Sequence, residues 1–292
     1  ALGLQVPAFG HMPLILAPDR SKLSKRHGAV SVEEYQRQGY LPAGLVNYLA
    51  QLGWNDGTNQ EIYRMEELLR SFRMDRMSKV AAIFDKDKCK WVNGHHLRLL
   101  SDDEAQRLIG SELVGRGLLE RASGEFARRA SLLLRDRISV LAEAADELLA
   151  ITSYELRAAL DTSAVARPFL EDGSLRETAR CITEAHARGE LDALGEDPEV
   201  LKNLVRNVSR ARGGVRKRAL LVPLRLCLTA SDHGPDMNRL FGLLRAVDGS
   251  ERCELVPLHG RIELMKELLF LDTGPRREEE EEDAPREEEK GP

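Results

Sequence analysis

Long apolar runs are missing from these 292 residues: none reaches the ~20 residues that a membrane-spanning helix needs. Cysteine is scarce. Cys89, Cys181, Cys227 and Cys253 stand far apart and form no Cys-x-x-Cys pair. That excludes a dense disulfide frame or a cysteine zinc site and points to reduced, buried thiols of an intracellular protein. His95 and His96 are adjacent, and on a helix two neighbours cannot face one metal, so no metal site is expected. No secretory pattern opens the chain, and no internal repeat is evident. Strand-like alternation fades after about residue 30.

Positive charge is also in deficit overall, with a formal net charge of −5. The deficit sits in residues 275–292, where nine acids face four bases; the rest of the chain is neutral, with 39 of each sign. Local basic patches can therefore still attract polyanions. Residues 272–292 lack apolar anchors, cannot offset ordering entropy and are expected to be a disordered acidic tail. The remaining length suits two or three domains with ample core.

Helix starts are legible. Ser31 with Glu34, Ser101 with Glu104, Thr152 with Glu155, and Ser174 with Glu177 each fit a capping box, in which hydroxyl and carboxylate satisfy each other's backbone N–H. Asp197 before Pro198 adds a cap with proline at the first helical position. The spacing of Leu134, Ile138, Leu141, Ala145, Leu148 and Leu149 predicts one long helix from about Gly124 to Ala150. Further helices are expected over Asp102 to Arg116, Ser174 to Arg188, Glu199 to Arg210 and Pro257 to Leu271. Pro13 to Ala17 reads as a short buried strand that enters a turn at Pro18-Asp19. Trp54 and Trp91 read as core. The fold class is mainly α, with helices of the length found in bundles.

Two stretches carry candidate chemistry. Arg20-Ser21-Lys22-Leu23-Ser24-Lys25-Arg26-His27-Gly28 combines lysines, a hydroxyl and a glycine, which together can cradle phosphate oxygens. Between Lys202 and Arg218 lie seven bases (Lys202, Arg206, Arg210, Arg212, Arg216, Lys217, Arg218) and no acid. Lys202, Arg206 and Arg210 recur every four residues and share a helical face, while Leu201, Leu204, Val205 and Val208 take another. An unbalanced cationic stripe on apolar packing suits a phosphate-tracking surface. Lys86, Lys88 and Lys90 read equally well as solvated surface or as RNA contacts.

Lys22-Leu23-Ser24-Lys25-Arg26 resembles the KMSKS-like second signature loop of class I aminoacyl-tRNA synthetases. Phe9-Gly10-His11-Met12-Pro13-Leu14-Ile15-Leu16 before it and His27-Gly28-Ala29 after it are similar to bacterial-type glutamyl-tRNA synthetase. So are Tyr40-Leu41-Pro42, Val46-Asn47-Tyr48-Leu49, Leu52-Gly53-Trp54, Phe84-Asp85, Pro223-Leu224-Arg225, Leu228-Thr229 and His233-Gly234-Pro235. The resemblance runs in order over roughly residues 1 to 270.

It implies a remnant of a Rossmann-type catalytic domain over 1–30, a stem-contact domain over 31–100, an all-helical anticodon-binding domain over 101–271, and the tail. It further implies a glutamate–tRNA ligase using ATP with Mg2+, glutamate and tRNA(Glu), with no membrane and as a monomer, in the cytoplasm or an organelle. Lys22, Ser24 and Lys25 would be catalytic, with Lys25, Lys22 and Arg26 on ATP; Gly28 would let the loop hinge. Lys202, Arg206, Arg210, Arg216, Arg218 and Arg225 would contact tRNA. Nothing in the chain corresponds to the family's N-terminal half with its HIGH-like motif, so the chain is read as a C-terminal portion or a truncated gene product. Glutaminyl-tRNA synthetase, whose anticodon region is mostly β, fits the helical signals poorly. The alternatives are a non-catalytic RNA-binding module descended from such an enzyme, and a helical scaffold whose acidic tail recruits proteins.

Overall fold

In a computed structural model of the protein, Gln5, residues 9–24, Arg26 and residues 31–271 are described. Ser31 is extended and its hydroxyl accepts from the Glu34 N–H at 3.3 Å, which opens α1 (Val32–Arg37). Proline at the first position starts α2 (Pro42–Gln51). After α3 (Met65–Ser71), Asp85 caps α4 (Lys86–Arg98) by accepting from the Lys88 N–H at 2.9 Å. Strand β1 (Ile15–Leu16) runs parallel to β2 (Ala82–Ile83), with Ile15 opposite Ala82. The strand expected over Pro13 to Ala17 exists, but it is not buried: Ala17 is, whereas Leu14 and Ile15 are exposed. The other edge of β1 takes the returning chain, with Leu16 bridged antiparallel to Lys22.

Tyr35, Leu45, Tyr48, Phe84, Cys89 and Val92 form the first apolar cluster, with Leu23 packed on its side. Two buried asparagines fix α2 against α4. Asn93 accepts from the Leu41 N–H at 2.8 Å and donates to the Ser139 carbonyl at 2.6 Å. Asn47 accepts from the Tyr63 N–H at 2.8 Å, and its Oδ1 meets His96 Nε2 at 2.9 Å. Buried amides persist because each polar atom finds a partner. Gly44 is small enough for the close approach; a Cβ there would lie 2.5 Å from Asn93 Oδ1.

A second cluster, centred on Ile109, Leu113, Phe126, Leu134 and Leu148, joins α5 (Asp102–Gly115), α6 (Glu125–Arg135) and α7 (Ala144–Thr152). Ser101 and Glu104 make the expected reciprocal cap. The single helix expected over 124–150 is instead two. Arg137 and Ile138 close α6 onto the Leu134 carbonyl, and Asn93 takes the Ser139 carbonyl. The Glu143 carboxylate accepts from the N–H groups of Ser139 and Val140 at 2.7 and 3.2 Å. These contacts hold a break that the apolar spacing alone does not signal.

The third cluster contains Leu175, Ile182, Leu204, Val208, Leu224, Phe241, Ile262 and Met265. It is built by α8 (Leu156–Thr162), α9 (Arg167–Glu171), α10 (Ser174–Ala187), α11 (Pro198–Ala211), α12 (Lys217–Thr229), α13 (Met237–Arg245) and α14 (Leu258–Lys266), the last running into a π-helical turn, Glu267–Leu271. Two expected caps move here. Thr152 ends α7 and its hydroxyl donates to the Leu148 carbonyl at 2.8 Å. Ser174 lies inside α10; Gly173, left-handed at φ 74°, takes the cap position, and Asp172 accepts from the Ser174 N–H at 2.8 Å.

Arg261, fully buried, donates to the carbonyls of Thr152 (2.7 Å), Leu228 (3.2 Å) and Val256 (2.8 Å) and lies 5.0 Å from the Tyr154 ring. Thr152 and Leu228 end α7 and α12, so the cation sits where two helix dipoles present negative ends. Tyr154 in turn donates to the Cys227 carbonyl at 2.6 Å. No helix among the described residues is long and apolar enough to cross a membrane.

Candidate nucleotide and nucleic-acid sites

The basic loop begins as a tight reversal. Ala17 N–H donates to the Ser21 carbonyl and Arg20 N–H to the Ala17 carbonyl, both at 2.8 Å, and Leu23 N–H returns to Ile15 at 3.1 Å. Arg20 takes the left-handed region at φ 64°, and the Asp19 carboxylate accepts from the Ser21 N–H at 2.9 Å. Leu23 is drawn onto the first core cluster. This leaves Lys22 exposed on the rim, and the sequence continues through half-buried Ser24 to exposed Arg26. Lys25, His27 and Gly28 lie outside the described residues.

A cavity of about 700 Å³ adjoins the reversal, lined by Pro18, Leu23, Ile83 and Phe84 together with Asp19, Asp85, Lys86 and Asp87. Its three carboxylates make it a poor seat for a polyphosphate. An anion would be met instead from the Lys22 side.

Helix α11 carries the second site. Asp197 accepts from the Glu199 N–H at 2.8 Å, and Pro198 follows, as the cap pattern requires. Leu204, Val205 and Val208 are buried, which turns Lys202, Arg206 and Arg210 outward. One acid modifies the stripe. Glu199, one turn earlier, pairs with Lys202 at 2.6 Å and reaches Arg206 at 3.6 Å, while Arg206 also donates to Asn203 at 2.7 Å. Arg210 has no ion pair among the described residues and borders two grooves. One is lined by Lys202, Val205, Arg206 and Ser209; the other includes Asn203, Asn207 and Glu190.

The chain then turns through Gly213 and Gly214, both left-handed (φ 70° and 84°), a pair of conformations that only glycine adopts freely. Arg216 is exposed as the first cap of α12, a helix end without a side-chain cap of its own. The positive end of that helix therefore adds to the local cationic field. Arg218 follows on the first turn, with its side chain outside the described ones.

Arg225 is positioned differently. It is half-buried, its Nη2 donates to the Pro235 carbonyl at 2.7 Å, and its Nη1 is buried with no acceptor among the described residues. Burial, only partly offset by Asp236, lowers its pKa. Gly234 leaves it room: a Cβ there would stand 3.0 Å from Nη1. Arg225 thus ties His233-Gly234-Pro235 to α12, while His233 stays exposed beside Asp232 at 2.6 Å. The hairpin packs on the first core cluster and α11 and α12 on the third, so the two candidate sites belong to different parts of the fold.

Trp54 is buried, but Trp91, expected in the core, is 40% exposed. The Lys88 ammonium sits 4.1 Å over its ring, and His95 lies edge-on at 4.3 Å. Spacing at 88, 91 and 95 on one helix face is the sequence signal for this stack. Lys88 also pairs with Glu61 and Lys90 with Glu143, both at 2.5 Å, so two of the three α4 lysines are engaged within the fold.

Residues 1–91 match the family model described as tRNA synthetases class I (E and Q), catalytic domain. Over 253 residues the chain is 38% identical to the glutamate–tRNA ligase of Moorella thermoacetica, covering 84% of this chain and 49% of that protein. The glutamate–tRNA ligase of Natranaerobius thermophilus is 36% identical over 250 residues, with the same coverage of 84% and 49%. The crystal structure of a glutamate tRNA ligase from Elizabethkingia meningosepticum in complex with its amino acid superposes with a TM-score of 0.65 at 23% identity, over 92% of this chain and 52% of that one. The chain is similar to these glutamate–tRNA ligases and spans about half the length of the curated relatives it matches.

Proposed function

We propose that this chain supplies the signature loop and the tRNA-binding helices of a glutamate–tRNA ligase, which joins glutamate to tRNA(Glu) through an ATP-derived adenylate. In this reading residues 1–30 close a catalytic domain, 31–100 touch the tRNA stem, 101–271 bind the anticodon end, and 272–292 form an acidic tail. The observation that carries it is the hydrogen-bonded reversal of residues 17–23, which leaves Lys22 exposed one residue short of Ser24-Lys25-Arg26, with Leu23 between.

Adenylate formation develops negative charge on the departing pyrophosphate. Lysines that meet this charge only as it develops lower the barrier, because they stabilise the transition state more than the bound substrate. Lys25 takes the principal phosphate contact, Lys22 and Arg26 flank it, and Ser24 offers a hydroxyl. Mg2+ would travel on the ATP phosphates, since no group of three His, Cys, Asp or Glu converges among the described residues. Lys202, Arg206, Arg210, Arg216 and Arg218 hold phosphates of the tRNA backbone, which fixes register without reading bases. Arg225 acts at the anticodon end by holding the His233-Gly234-Pro235 loop. The reading takes the protein as a monomer and suits a cytoplasmic or an organellar setting alike.

The test is pyrophosphate exchange and tRNA charging by this chain alone, and again after fusion to an upstream catalytic half. Activity only in the fusion, lost on Lys25→Ala, is the expected result. A fused enzyme indifferent to Lys25→Ala would overturn the loop assignment. Tight, salt-sensitive tRNA binding with no activity in either form would favour the second reading, a non-catalytic RNA-binding module.

A further inference from the structure

His186 lies in the last turn of α10 and His259 in the first turn of α14, 73 positions apart in sequence. Their rings face each other: Nε2 of His186 is 3.1 Å from Nδ1 of His259, and the ring centroids are 5.3 Å apart. Two imidazole nitrogens this close can share only one proton between them. The other nitrogen of His186, Nδ1, is buried and has no hydrogen-bond partner among the described residues. The pair borders a cavity of about 530 Å³ whose lining includes Leu191, Phe241 and the polar Asp192 and Arg245.

We propose that His186 and His259 form a two-histidine clip for a divalent transition-metal ion such as Zn2+, bridging α10 and α14. Neutral imidazole is a preferred ligand for such ions. Two Zn–N bonds of ~2.0–2.1 Å at a tetrahedral angle place their nitrogens about 3.3 Å apart, so the separation seen here needs an opening of only about 0.2 Å. The two helices are already fixed by buried Ile182, Ile262 and Met265, so the clip is preorganised by the core rather than assembled by the ion. No third side chain completes a closed three-ligand site among the described residues, so water fills the remaining positions and the site is open.

The experiment is zinc titration of the untagged full chain by calorimetry, with the bound metal counted after dialysis. The expected result is one saturable zinc per chain at micromolar zinc. His186→Ala and His259→Gln should each weaken it by about tenfold or more, because even outer-shell changes around a metal cost ~10–100-fold. His259 is exposed, so His259→Gln keeps the fold and a polar contact while removing the ligand nitrogen. Cys253→Ser and His233→Ala should leave binding unchanged, which separates the clip from the half-buried thiol and from another exposed histidine. No saturable binding overturns the proposal, and so does binding that survives both clip variants or is lost in either control. In those cases the two rings form a hydrogen bond and nothing more.

Discussion

Replacing Glu199 with glutamine should tighten the grip on tRNA, an outcome opposite to that of most substitutions near a binding surface. Glu199 neutralises Lys202 at 2.6 Å and draws Arg206 at 3.6 Å, whereas Arg210 has no such partner among the described residues. Each cation that neutralises a phosphate adds ~0.7–0.9 to the slope of log affinity against log salt. At 0.1 M salt one full contact is then worth about eightfold at the upper slope. Arg210→Ala should show about that loss. Lys202 and Arg206 must first leave Glu199, and an exposed pair holds them by ~0.2–1 kcal/mol, so each single removal should cost less, about two- to fourfold. Glu199→Gln lifts that competition and a local repulsion, for a gain of about two- to fivefold. Fluorescence anisotropy of labelled tRNA across a salt series reads both quantities. The triple removal of Lys202, Arg206 and Arg210 should lower the salt slope by about two units or more. An unchanged slope in the triple variant, or weaker binding in Glu199→Gln, would refute the assignment of α11 as a phosphate-tracking helix.

Other expectations concern the scaffold. Arg261→Met strands three carbonyl acceptors in the core but also removes an unpaired buried cation, so a net loss of about 2–4 kcal/mol is expected, with Arg261→Lys intermediate; a urea titration in which Arg261→Met matches the parent would contradict this. Burial lowers the Arg261 pKa to about 10, so the unfolded chain holds that proton more tightly. This group therefore adds no pH slope near neutrality, and its penalty is relieved as pH rises above about 10. Gly195→Ala would put a Cβ 2.3 Å from the Gly242 nitrogen at φ 93°, and should cost about 3 kcal/mol or more, seen as a clear drop in melting temperature. The Glu104 carboxyl is held below its ordinary value by the Ser101 hydroxyl and N–H, so its stabilisation is full above the usual carboxylate range and fades as pH falls through it. Glu104→Gln should flatten the acid limb of the stability profile; an unaltered limb would count against the cap.

Features decided within a turn or two of sequence were legible. The caps at Ser101 and Asp197 form as read, and at Ser31 the hydroxyl half of the box forms while the Glu34 carboxylate turns to Gln38 and Arg37, because the hydroxyl or carboxylate and the N–H it accepts from are two or three residues apart. The extent of α11 and its outward cations follow from apolar spacing alone. The turn at Pro18-Asp19 forms for the same local reason. Other features belong to distant partners. The break between α6 and α7 needs Asn93, which binds Ser139 across 46 positions. Thr152 gives up its capping role where its carbonyl meets Arg261, 109 positions away. Trp91 is apolar enough for a core, yet it stays 40% exposed with the Lys88 ammonium over its ring. Arg225 carries a charge suited to RNA, but the returning loop supplies Pro235 as its acceptor. Periodicity and capping are set by backbone geometry and by neighbours a few residues away, so the one-dimensional chain already contains them. Which carbonyl, ring or carboxylate arrives from elsewhere to compete for the same side chain is settled only when the clusters pack.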